Sequence, residues 1–244
     1  MVTLPDVAKI GFGGGVRSFW QGVGFVASTP AVWLPAMVPM VMAVTLLGGA
    51  GTLGIWGADA AATSIAGSSG VGLWALRVVF GVVAIIVALL VSLTLSQPLS
   101  GWALDRIVRN QEAVLGAPAW PEQPRLRQMA LALGVNLLAL AVGLPILAVL
   151  TAIGVFFPIA VFVTVPLKVF VAALLVAWDF LDYPLSQRGL GLSERLSWIG
   201  RRFGAVLGFG LSAAIVLLLP CIGLFVLPMG VAGAARLAVE TEGE

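Results

Sequence analysis

Histidine is absent from the 244 residues, and cysteine occurs once, at Cys221. Zinc sites, cysteine–histidine catalysis and a disulfide framework are thereby excluded. Charge is scarce too. Only 10% of the residues are charged, against about 25% in a typical soluble domain. That leaves too few polar side chains to cover a globule of this size, which excludes a water-soluble protein. The sequence offers no nucleophile–base pair and no cluster of metal ligands, so neither an enzyme nor a cofactor is expected. The net charge of +2 and the pI near 9.2 report arginine in loops and make no case for nucleic-acid binding.

What is present is apolar: 60% of the residues are hydrophobic and the mean hydropathy is +1.10. Charge-free stretches define the organisation. They run for 41 residues between Arg17 and Asp59, 27 between Arg77 and Asp105, 40 between Arg127 and Lys168, and 33 between Arg202 and Arg236. A membrane-spanning helix needs about 20 apolar residues. The expectation is a single all-α membrane domain over residues 1–244, multi-pass, in the cytoplasmic (inner) membrane.

Residues 6–27 carry Phe12, Val16, Phe19, Trp20, Val23 and Val26 at three- and four-residue steps, the pattern of a helix lying in the interface. The N-terminus lacks the pattern of a signal peptide. The run Gly11-Phe-Gly-Gly-Gly lacks the Lys-Ser/Thr ending of a phosphate loop, so its glycines are read as close-packing positions. Ser28-Thr29-Pro30 is a helix start, and a first span is expected over 30–56, with Pro39 bending its entry. Residues 57–72, rich in Gly, Ala and Ser, read as a loop. A second span is expected over 73–97, ending at Gln97-Pro98, with Gly81, Ala84 and Ala88 as a small-residue face.

Arg106, Arg109, Arg125 and Arg127 fall in 105–127, and Arg188, Arg195, Arg201 and Arg202 in 179–202; the 57–72 segment holds neither Lys nor Arg. The positive-inside bias places the two arginine-bearing segments in the cytoplasm, with the N-terminus, and 57–72 outside. The 33 uncharged residues after Arg202 then have to return to the side they entered. Two crossings would have about 16 residues each, about 24 Å at 1.5 Å per residue, against a core of about 30 Å. A re-entrant hairpin over 203–236 follows, tipped by Pro220-Cys221-Ile222-Gly223. In 128–178, Pro158 precedes Pro166 by eight residues, as Pro220 precedes Pro228. This segment is long enough for two crossings or for a second hairpin, and the residues alone leave both open.

Several residues resemble a known family: Ala177-Trp-Asp-Phe-Leu-Asp-Tyr-Pro-Leu-Ser-Gln-Arg-Gly-Leu, Gly208-Phe-Gly, Leu219-Pro220, and Leu227-Pro-Met-Gly-Val-Ala-Gly-Ala-Ala-Arg236. Gln21-Gly22, Pro30 with Pro39, and Gln97-Pro98 before Glu112-Ala-Val-Leu-Gly116 add to the match. They are similar to the CysZ-type sulfate transporters and the superfamily of the etoposide-induced membrane protein. The resemblance implies two long transmembrane helices, two partly penetrating hairpins with proline tips, cytoplasmic termini, homo-oligomers, and uptake of sulfate or a related small anion. It also makes Asp182, Tyr183 and Pro184 a structural turn. The family's Pro-Gly-Leu/Ile-Arg-Arg stretch is Pro30-Ala31-Val32-Trp33-Leu34 here. Backbone N–H groups of Ala31 and Val32, with Ser28 and Thr29, are the anion donors left. The alternative function is a non-transporting membrane scaffold or lipid-associated protein.

Lys168 has two readings: an anion contact near a hairpin tip, or a side chain that snorkels to an interface. Arg77 reads as an interface anchor, and Asn136 and Thr151 as bonded to neighbouring helices. Asp179 and Asp182 form either a proton-coupling pair or part of the structural turn. The arginines of 188–202 orient the chain, or meet anions and acidic lipid. Gly200, Gly204 and Gly208 form a stripe for close packing, with an oligomer contact as one use. Cys221 reads as a small apolar filler.

Overall fold

The computed structural model describes residues 10–67, 69–118, 120, 125–219 and 223–242. Regular structure among them is helical: α1 (Phe12–Ser28), α2 (Trp33–Ala66), α3 (Val71–Val114), α4 (Arg125–Phe156), α5 (Val161–Gln187), α6 (Leu192–Arg201), α7 (Phe203–Leu217) and α8 (Gly223–Glu240). Pro30 and Pro158 each open a 3-10 turn, Pro30–Val32 and Pro158–Ala160, that leads directly into α2 and α5. Proline suits this place because its fixed φ is helical and its missing N–H would be unpaired there anyway. Pro166 and Pro228 each fall at the sixth residue of their helices, α5 and α8. The tip expected at Pro220 lies outside the described residues, as does Cys221.

Contacts divide the chain into two compact units, 1–36 with 104–244, and 37–103. In the first, α7 and α8 pack on each other and on both α1 and α5, and α4 packs on α5. Glycine sets these distances. A methyl at Gly15 would strike the Ala205 carbonyl, one at Gly208 the Phe12 carbonyl, one at Gly210 the Ala173 carbonyl, and one at Gly22 the backbone of Gly233. The buried face of α1 is therefore Gly15, Ser18, Phe19, Gly22 and Val26. Of the apolar stripe expected there, Phe12 and Trp20 stay about half exposed, because the small residues make the closer contact. Phe19, Phe209 and Phe180 meet edge-on, with ring centroids 5.8 Å and 6.2 Å apart. The stripe of Gly204 and Gly208 seats α1 within the chain, while Gly200 faces open space.

In the second unit, Ser92 Oγ on α3 donates to the Ala43 carbonyl on α2 at 2.7 Å. Gly54 packs on Ala84, where a methyl would lie 3.2 Å from the Ala84 Cβ. Arg77 pairs with Asp59 at 2.5 Å, both about half exposed. The loop expected over 57–72 is shorter. Alanine-rich sequence has the highest helix propensity, and Thr63 Oγ1 back-bonds to the Asp59 carbonyl at 2.8 Å. Helix α2 therefore runs to Ala66 and stops only at Gly67, whose φ of 78° lets its N–H cap the Thr63 carbonyl at 3.0 Å. Nor does α3 end at Gln97-Pro98. It continues to Val114, since proline's φ is itself helical and removes a single hydrogen bond.

Among the described residues, four segments are long and apolar enough to cross a membrane: Pro30–Ala66, Val71–Ser92, Leu137–Phe156 and Pro158–Gln187. Their outer faces carry bare apolar side chains such as Leu34, Trp56, Val71 and Phe162, which a bilayer covers and water would not. The molecule is an all-α, multi-pass membrane protein. Helices α7 and α8, of 15 and 18 residues, rise only about 22 Å and 27 Å.

Candidate functional site

Ser28, Thr29, Ala31 and Val32 fall at the α1–α2 junction. Ser28 Oγ turns back to the Phe25 carbonyl at 3.4 Å. Thr29 precedes the 3-10 turn without a side-chain capping bond. Ala31 is exposed and Val32 fully buried. Trp33, at a position where the family motif has arginine, donates its indole N–H to the Val26 carbonyl at 2.9 Å. Leu34 points outward, 78% exposed. The Val32 N–H bonds the Thr29 carbonyl at 3.1 Å and the Trp33 N–H the Pro30 carbonyl, so this junction presents the Thr29 hydroxyl and the Ala31 N–H, with no cationic side chain of its own.

Three of the four arginines of 188–202 are committed elsewhere, while Arg201 is exposed. Arg188 Nη1 donates to Glu112 at 2.7 Å and to the Pro184 carbonyl at 2.8 Å. Its Nε pairs with Glu242, and its guanidinium lies 5.1 Å from the Trp120 ring centroid. Arg195 pairs with Asp182 and donates to the Leu190 carbonyl at 2.9 Å. Arg202 lies over Trp198 and donates to the Thr241 carbonyl. Gln187 Nε2 donates to Asp105 Oδ1 at 3.3 Å, and Ser18 to Glu240 at 3.2 Å. These bonds tie α1 to α8, α3 to the end of α5, and the two ends of α6 to α5 and to the residue after α8. Burial pushes the Asp105 carboxyl above its ordinary value, against the pull of Gln187 and Arg109. Burial pushes Glu112 up as well, although Arg188 opposes it.

Asp182, Tyr183 and Pro184 lie in the last turns of α5. The turn itself comes after them, at Gly189, whose φ is 71°, with the Leu190 N–H on the Leu185 carbonyl at 3.3 Å. Asp182 pairs with Arg195 of α6. Pro39 lies inside α2. Thr151 back-bonds to the Leu147 carbonyl of its own helix at 2.7 Å, and the side chain of Asn136 lies outside the described residues.

Lys168 is the remaining predicted contact. It is half-buried on α5 and faces Gly154 of α4: a methyl at Gly154 would sit 4.0 Å from Lys168 Nζ and 3.2 Å from Thr164 Oγ1. Lys168 makes no ion pair or hydrogen bond among the described residues. Thr164 is 3% exposed and its hydroxyl has no partner among the described residues. The sequence reading missed Thr164. Its place one turn before Lys168, on the same helix face, was the available signal. No hydrogen bond or ion pair joins Lys168 to Ser28, Thr29, Ala31 or Val32 among the described residues.

Comparison with known proteins fits this architecture. The model of the family described as Sulfate transporter CysZ/Etoposide-induced protein 2.4 matches residues 18–228. The chain is 29% identical over 153 residues to a protein named sulfate transporter CysZ from Pseudomonas paraeruginosa, covering 62% of this chain and 61% of that relative. It is 31% identical over 103 residues to a sulfate transporter CysZ from Pseudomonas fluorescens, covering 42% and 38%. The chain thus spans less than two thirds of the length of the relatives it matches. Since the family model takes in α1 from Ser18 through to Pro228 of α8, the chain belongs to the Sulfate transporter CysZ/Etoposide-induced protein 2.4 family.

Proposed function

We propose that this protein passes sulfate or a related small anion across the cytoplasmic membrane, with both termini cytoplasmic and copies of the chain associated in lipid. The observation that carries the reading is the family match over 18–228, since the relatives are named sulfate transporters. The same-side return of residues 203–236 is supported by two ties: Arg202, before α7, donates to the carbonyl of Thr241, after α8, and Arg188 pairs with Glu242. Helices of about 22 Å and 27 Å are short for a core of about 30 Å, as a re-entrant pair requires. On this reading the α4–α5 pair enters the membrane as well. Of the donors expected at the start of α2, the Val32 N–H is held by the Thr29 carbonyl at 3.1 Å and the Ser28 hydroxyl by the Phe25 carbonyl, so on this reading the Ala31 N–H and the Thr29 hydroxyl meet the anion first.

One observation favours a second reading, a scaffold of the same fold. Trp33 spends its donor on Val26, at a position where the family motif has a cation. A flux assay decides between them. Purified protein in liposomes takes up labelled sulfate faster than protein-free vesicles if it transports. Background flux from folded protein would leave the scaffold, which further predicts that Trp33→Arg with Leu34→Arg creates sulfate binding absent from the parent.

A further inference from the structure

Lys168 lies ten residues beyond Pro158 and eleven before Asp179. At 1.5 Å per residue it stands about 15 Å along α5 from the proline turn and about 16 Å from the next charge. A hydrocarbon core is about 30 Å thick, so this ammonium sits near mid-depth of the segment, beyond easy reach of either surface by snorkelling. Its neighbours along the helix, Val165, Leu167 and Val169, are exposed and apolar. A cation in such surroundings is costly and calls for a counter-charge. Among the described residues none is supplied.

Two further features converge on the same point. Thr164 Oγ1 is buried and unpartnered, although threonine in a helix ordinarily bonds back to its own turn. A buried hydroxyl left in that state costs free energy until something accepts its hydrogen. Residue 154, opposite both groups, is glycine, and even a methyl there would crowd the hydroxyl at 3.2 Å. Pro166, between Thr164 and Lys168, brings no N–H to the Phe162 carbonyl, which loosens the backbone at this turn.

We infer that Thr164 Oγ1 and Lys168 Nζ, both facing Gly154, form an anion station on the α4–α5 pair, taking one small inorganic oxyanion of the sulfate type. This deepens the transport reading and rests on it for its purpose. One ammonium and one hydroxyl hold a dianion only weakly. That suits a conduction step, where an ion has to enter readily and leave readily. The mid-depth position favours a free oxyanion over a lipid headgroup.

The test uses the full chain purified in detergent and reconstituted in liposomes. Four proteins are compared: the parent, Lys168→Met, Lys168→Arg and Thr164→Val. Sulfate-dependent thermal stabilisation and labelled sulfate uptake are both measured. The expected result is loss of tenfold or more in uptake for Lys168→Met, about fivefold for Thr164→Val, and near-parent uptake for Lys168→Arg. Sulfate should raise the melting temperature of the parent but not of Lys168→Met, with equal melting temperatures in sulfate-free buffer showing that the variant is folded. Parent-like uptake by Lys168→Met would overturn the station and leave the transport reading standing. A parent without uptake would end the transport reading, and stabilisation then decides the station alone: lost in Lys168→Met it stands, absent or equal in both it falls. Stabilisation by phosphatidylglycerol micelles without sulfate, and lost in Lys168→Met, would identify a headgroup phosphate as occupant and likewise overturn it.

Discussion

Arg188 and Glu112 form an ion pair of 2.7 Å across 76 residues of chain, with side chains only 4% and 5% exposed. Arg188 is therefore an internal fastening of the fold. Removing one partner of a buried pair costs about 3–5 kcal/mol, because the other charge is left stranded. Arg188→Met should destabilise the protein by about that much in thermal unfolding in detergent. Glu112→Leu combined with Arg188→Met should recover most of it. The loss should depend on pH in a set direction. Burial already holds Glu112 above its usual value, and Arg188 opposes that rise. Without Arg188 the folded state takes up the proton at higher pH still, so the penalty is largest at high pH and shrinks as pH falls. A pH-independent loss would show that the pair has no electrostatic part.

Asp105 offers a cleaner titration. Its carboxyl is raised by burial, so the folded state binds the proton more tightly than the unfolded chain. The cost of the buried charge is present in full above the raised value and disappears as pH falls to about 4, the ordinary value for Asp. Asp105→Asn keeps an oxygen for the amide of Gln187 and removes the charge. Its melting temperature should exceed the parent's at neutral pH and converge with it near pH 4, about the ordinary Asp value. A variant less stable than the parent at neutral pH would contradict the assignment.

Glycine contacts predict a contrast along one stripe. Gly208→Ala drives a methyl into the Phe12 carbonyl, while Gly200→Ala meets nothing within 4 Å. The first should cost about 1–3 kcal/mol, and the second should stay within about 0.5 kcal/mol of the parent. Comparable losses at both sites would mean that the stripe serves another surface.

The ties from Arg202 to Thr241 and from Arg188 to Glu242 predict the outcome of labelling. In a Cys221→Ser background, Arg201→Cys and Glu242→Cys should react from the same face of the cell, and Ser69→Cys from the opposite one. Reaction of the first two from different faces would remove the re-entrant hairpin.

The sequence announces the helices and conceals their partners. Charge-free length, Pro30 and Pro158 were enough to locate the apolar helices, because the bilayer leaves few alternatives for an uncharged backbone. The run of α2 through Gly57 to Ala66 was hidden by glycine and serine, whose turn signal was outweighed by five alanines and two back-bonding hydroxyls. The ion pairs were not legible, since a residue such as Glu112 carries no mark of a partner 76 positions away. Lys168 stood out as a lone charge. Thr164 did not, for only the model shows that its hydroxyl is left unpaired.

The glycine seat of α1 on α7 and α8 has a consequence for biosynthesis. The first described helix to leave the ribosome finds its backbone-tight berth on the two emitted last, some 190 residues later in the chain. Until then the nascent α1 has no mate to close on, and its exposed Phe12 and Trp20 give it a surface on which to rest against the lipid. Such distant pairing is slow to close, so a chain stopped before Phe203, where α7 begins, would leave that first helix unmoored.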